Sequence, residues 1–157
     1  MGGAVIVMRR VETGETYVGE IPLQLFQGDT FKRKLYLNET LRLVRNGIKK
    51  LGVSKEEPIH ICTGFILSKA RESLKEAGFT IVPFKIRGET QTLAETEFIQ
   101  SLVRLGVGDE VNVASIRNFK SLLRWVLGDL EYRERYVKTG WSAWPRWREE
   151  RASEPET

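Results

Sequence analysis

The residues most open to chemistry sit near the C-terminus. Trp141, Trp144 and Trp147 fall within seven residues and alternate with Arg146 and Arg148. Indole rings can stack on nucleobases while guanidinium groups meet phosphates. The same segment also reads as an arm packed on its own domain or on a partner subunit. Packing is preferred, because tryptophan buries a large apolar area and much exposed aromatic surface is a liability. Two basic segments add to the picture. Thr30–Lys50 carries seven Lys or Arg against one acid, and Val111–Arg148 carries eight against three. Within them Lys32, Arg42, Arg45 and Lys49, and then Arg117, Lys120 and Arg124, are candidates for contact with a polyanion. Solvated helix faces are the alternative.

A second kind of chemistry is suggested by two places where a strand gives way to a helix. Thr63 and Gly64 follow the apolar run Ile59–Cys62, and Lys85 and Arg87 lie at the C-terminal end of Thr80–Ile86. Backbone N–H groups and cations at such points can hold an anion. A tight turn with Thr63 as helix cap, and a solvated edge at Lys85, are the plainer readings. The single cysteine, Cys62, excludes an internal disulfide and a Cys-cluster zinc site. The single histidine, His60, excludes a His-rich metal centre. Both read as packed residues.

The elements that must position these groups alternate in a readable order. Ala4–Val11 and Thr16–Ile21 predict two strands joined by the turn Thr13-Gly14-Glu15. Phe31–Leu37 alternates and predicts a third strand. Asn38 is placed to cap a helix whose stripe is Leu41, Val44, Ile48 and Leu51, ending at Gly52. Pro58–Cys62 predicts a central buried strand and Phe65–Ala77 a helix closed by Gly78. Thr80–Ile86 predicts an edge strand, since Pro83 cannot donate to a ladder. Thr92 and Glu95 suggest a capping box before a helix ending at Gly106. A loop over Val107–Ala114 then leads to a long amphipathic helix from about Ser115, which Gly128 breaks or kinks, and the acidic tail is expected to be disordered. The fold class is therefore α/β, with a mixed five-stranded sheet of three antiparallel strands followed by βαβ units. Expected divisions are a core over 1–110, a helical extension packed on it over 111–140, and the Trp/Arg arm and tail over 141–157.

This order of elements resembles the ribonuclease H-like superfamily, over about Ala4 to Gly106, in the manner of its small archaeal relatives. The resemblance implies carboxylates holding two divalent metals, which need several hard oxygen ligands in one place. Glu39 matches the family's acid near the start of the first helix, and Glu95 and Glu97 stand nearest to an acid on its last helix. The first strand, Val5–Arg10, has no acid, and Gly64 stands where an Asp is usual after Thr63.

Three functions are thus expected. The first is a nucleic-acid-associated domain, binding RNA or DNA with weak or absent nuclease activity. The second is a non-enzymatic homodimeric interaction module built through the C-terminal helix and Trp141, Trp144 and Trp147. The third is a nuclease using Glu39, Glu95 and Glu97. A phosphate-ligand enzyme using Gly64 and Lys85 is a more distant idea. No cofactor is expected, save magnesium or manganese if the chain cleaves nucleic acid. No apolar run reaches the ~18–20 residues of a membrane span, and no secretory signal opens the chain, so a cytoplasmic protein without membrane contact is expected. Four Asn and four Gln among many Glu, Lys and Arg lean towards a thermophilic source.

Overall fold

A computed structural model describes residues 1–115 and 118–152. Strand β1 (Ala4–Arg9) pairs antiparallel with β2 (Thr16–Ile21), Ala4 facing Ile21 and Arg9 facing Thr16. Gly14 takes φ +75° in the connecting turn, a conformation that suits glycine. Past β1, Arg10 donates to the carbonyl of Leu51 at 2.7 Å through Nη2 and pairs with Glu57. Arg10 and the backbone N–H of Ser54 hold the Glu57 carboxyl down at about 2.

A short helix α1 (Gly28–Lys32) precedes the long helix α2 (Leu35–Lys50). The predicted stripe of α2 is buried, but so are Tyr36, Thr40, Leu43 and Gly47. The buried face is wide because α2 packs on the hairpin and on α3 (Ser68–Glu76). Glycine makes the close approach possible. A Cβ on Gly47 would sit 2.7 Å from the Tyr17 ring, and one on Gly19 would sit 2.9 Å from Leu43. β3 (Pro58–Ile61) and β4 (Thr80–Pro83) pair in parallel on either side of α3. Ile6, Ile21, Val44, Ala70 and Leu74 meet in one core. Helix α4 (Glu89–Leu105) packs along β1 and ends at Gly106, φ +96°, a usual helix terminus.

The mixed five-stranded sheet is not formed. Among the described residues four strands make two separate two-stranded sheets. Phe31–Leu37 is not a strand: it holds the end of α1, Lys34 at φ +55°, and the start of α2. Alternation there is outweighed by stacking. Extending α2 back to Leu35 places the Tyr36 ring against both Phe26 and Phe31, with centroids 5.3 Å apart in each case. Asn38 consequently lies inside the helix, where its Oδ1 accepts from Lys69, and it caps nothing. β3 has one neighbour and so is not central, and its residues Pro58 and His60 are exposed. β4 stops at Pro83, three residues early. The Thr92–Glu95 box is not formed either: α4 already starts at Glu89, and Thr92 donates to the carbonyl of Gly88 at 3.2 Å.

The C-terminal third is more segmented than its stripe predicts. α5 (Glu110–Ser115) occupies most of the expected loop, and α6 (Phe119–Leu127) starts afresh where Asn118 Oδ1 accepts from Ser121 N at 2.8 Å. Gly128 ends α6 as anticipated. α7 (Leu130–Arg133) follows, and α8 (Trp144–Ala152) carries regular structure well into the tail expected to be disordered. Residues 153–157 lie outside the described residues. Several hydrogen bonds dock the segment on the core. Gln27 Nε2 donates to Val137 O at 2.9 Å, Gly140 N to Phe26 O at 3.0 Å, Gly2 N to Tyr136 O at 2.8 Å, and Lys138 Nζ to Gly3 O at 2.8 Å. Among the described residues no helix is long and apolar enough to cross a membrane.

Candidate functional site

Between the core and the C-terminal helices lies a cavity of about 420 Å³. Its core wall is the stack of Phe26, Tyr36 and Phe31, continued by Phe65 and Ile66. This wall exists because the break between α1 and α2 folds Phe31 back over Tyr36. Gly140 passes so close to Phe31 that no side chain would fit there. The opposite wall is Phe119, Trp141 and Trp147. Trp141 and Trp147 meet edge to face at 4.5 Å, and Phe119 tilts on Trp147 at 4.6 Å. These rings hold one another upright, as their quadrupoles favour. Val126, Val137 and Trp144 close the inner end, and all three are buried. Trp144 is fixed by its Nε1, which donates to Glu134 Oε1 at 2.9 Å. Glu134 also receives Arg148 Nε at 2.9 Å.

Among the described residues Lys138 is the one charged side chain lining this space. Its Nζ donates to the carbonyls of Gly3 at 2.8 Å and Met1 at 3.1 Å. It lies 5.0 Å from the centroid of Phe26 and 6.0 Å from that of Phe98. Among the described residues no carboxylate pairs with it. Burial therefore pulls the ammonium down to about 8. The α-amino group of Met1 beside it falls to about 5, through burial first and Lys138 second. At neutral pH the pair carries one positive charge, on Lys138. Tyr36 is buried in the same wall, and burial raises its phenol. Among the described residues its hydroxyl makes no hydrogen bond. The site thus offers an apolar volume, aromatic faces and one uncompensated cation.

The residues singled out in the sequence distribute as follows. Glu39 is bound by Arg42 Nε at 3.0 Å, and Arg42 holds its carboxyl below the ordinary value. Glu95, exposed on α4, accepts from Gln91 Nε2 at 3.1 Å. Glu97 lies two positions on, about 200° around the helix. Among the described residues no three His, Cys, Asp or Glu gather as a metal would require. Glu39, Glu95 and Glu97 are therefore not brought together. Arg42, Arg45 and Lys49 form an exposed row on α2, with Lys32 exposed on α1. Lys120 and Arg124 are exposed on α6, and Arg117 lies outside the described residues.

Thr63, Gly64, Lys85 and Arg87 are all exposed and follow the C-terminal ends of the parallel pair β3 and β4. The backbone there is already engaged: Arg71 Nη1 donates to Cys62 O at 2.6 Å and to Gly64 O at 2.9 Å. Thr63 caps no helix; Gly64 precedes the 3₁₀ turn Phe65–Leu67, without a side-chain cap. Trp141, Trp144 and Trp147 pack on their own chain, as does the apolar stripe of α6 through Leu122, Leu123 and Val126.

Lys138 escaped the sequence reading. It sits between Val137 and Thr139 with no motif, and its partners are the first residues of the chain. The aromatic density of the arm was the available signal, and it marked one wall only. Comparison of the chain with protein-family models, with curated proteins and with solved structures finds no match.

Proposed function

We propose that this protein binds a small, mainly apolar molecule in the cavity between the core and α6–α8. The observation that carries this is an aromatic-walled space of about 420 Å³ with a single cation in its lining. Volumes of roughly 300–1,000 Å³, apolar walls and few polar groups characterise small-molecule sites. Titration with the neutral fluorophore Nile red tests the reading. Saturable enhancement is expected, diminished when Leu122→Trp or Val126→Phe fills the space in a chain whose circular dichroism is unchanged. Enhancement that never saturates, or that both filling variants leave intact, overturns it.

A second reading, association with RNA or DNA, is favoured by the exposed row Arg42, Arg45 and Lys49 on α2. Fluorescence anisotropy with labelled duplex DNA, single-stranded RNA and an RNA–DNA hybrid decides it. Phosphate contacts make affinity fall steeply with salt, and changing the three residues to Glu should abolish binding. Affinity unaltered by that triple change removes α2 from the account.

A further inference from the structure

The composition of the cavity says what kind of molecule belongs there. We infer that the occupant is an amphipathic monocarboxylate: an alkyl or aryl body against the rings, and a carboxylate on Lys138. The inference rests on the cavity reading above and adds to it the chemistry of the ligand's head.

Three observations support it. First, the Lys138 ammonium lines the cavity, and its N–H donors meet only neutral groups: Met1 O, Gly3 O and the α-amino nitrogen of Met1. Second, those acceptors are neutral, so the charge has no counter-ion among the described residues. A desolvated, unpaired cation is costly, and an incoming anion offsets that cost where water cannot. The lowered ammonium is the signature of that desolvation. Third, Tyr36 brings to the same lining a hydroxyl that makes no hydrogen bond among the described residues, a further donor for a polar head. Among the described residues the other side chains lining the space are apolar or aromatic. A polyanion such as a nucleotide would place several charges against rings with a single cation to meet them. A neutral hydrocarbon would leave Lys138 as it stands. One acid on an apolar body matches both features.

The test uses two molecules of equal chain length, decanoate and decanol, as competitors of Nile red on the full chain. At neutral pH decanoate should displace the probe about ten- to a hundredfold more effectively, the usual worth of a hydrogen bond to a charged group. Lys138→Met should remove the preference, so that decanoate and decanol displace the probe alike, and Lys138→Arg should keep much of it. If Lys138→Met fails to fold, the wild-type pH profile serves. Decanoate affinity should fall as Lys138 loses its proton above about 8, while decanol affinity stays level. Met1's α-amino group faces Lys138 but is already neutral in this range, and the Tyr36 phenol is shifted upwards, away from it. Equal displacement by both competitors, with Nile red binding intact, overturns the carboxylate inference and leaves the cavity reading standing. Absence of saturable Nile red binding overturns both.

Discussion

Ile21, Ala70 and Thr40 are fully enclosed in the N-terminal core, whereas Phe119 and Trp141 in the C-terminal region are 50% and 44% exposed. Both regions bring apolar residues to a seam between helices and the hairpin core, yet one seam closes and the other stays open. The difference lies in side-chain size. At the closed seam Gly47 and Gly19 let the α2 backbone descend on β1 and β2, and branched aliphatics fill what remains. At the open seam rings face rings. Phe31, Tyr36 and Phe65 oppose Phe119, Trp141 and Trp147, and rigid planar groups that brace one another cannot flow into the remaining gap. A wall of aromatics therefore spaces two layers apart, where a glycine brings them together.

Substitution can break this contrast. Ile21→Ala should lower unfolding free energy by about 2–5 kcal/mol, because its surroundings cannot collapse. Trp147→Ala should cost less than the ~3–5 kcal/mol of a fully packed tryptophan, since one side of the ring already borders empty space. Denaturant titration of both variants checks the pair, and equal losses would mean that the seams are packed alike.

Lys138 sharpens the comparison through pH. Its value in the folded chain, about 8, lies below the ordinary 10.5. The unfolded chain therefore binds the extra proton between these limits, and stability should rise with pH across them by up to about 3 kcal/mol. Lys138→Met should flatten that rise, as measured by urea unfolding at stepped pH.

Asn118→Ala should cost about 1 kcal/mol through loss of the α6 cap, and reversal by Asn118→Ser would show the cap to be responsible. The smallest effect is expected at Glu57. Its carboxyl sits at about 2 instead of 4.5, so the stabilisation it gives is present above 4.5 and disappears as pH falls towards 2. Glu57→Gln should shallow the acid limb of the stability profile and leave the Nile red signal unchanged.

What the sequence made legible was local. The hairpin follows from the apolar run Val5–Met8 and the second strand Thr16–Ile21 on either side of Thr13-Gly14-Glu15, and the α2 stripe from helical spacing; both depend on residues close together in sequence. Phe31–Leu37 misleads because Tyr36 is decided by Phe26 and by the sharp reversal at Lys34, which alternation cannot register. Thr92 and Glu95 have cap spacing but stand one turn too late, Gly88 having already set the start of α4. Asn118 was legible in principle, as a capping side chain before an apolar run, but Ser115 drew attention first. The site was half visible. Its tryptophans stood out by density, whereas Lys138 acquires meaning only from Met1 and Gly3, 137 and 135 positions away.

That separation has a consequence for how the molecule comes into being. Chains emerge from the ribosome N-terminal end first, and contacts between distant positions close slowly. The hairpin, α2, α3 and the core around Leu74 can assemble once residue 83 is out. The clasp that joins Met1, Gly2 and Gly3 to Tyr136 and Lys138 must wait until residue 138 is out. The cavity is thus the last room built, and until then Phe31, Tyr36 and Phe65 face solvent as an open aromatic face on an otherwise folded nascent protein.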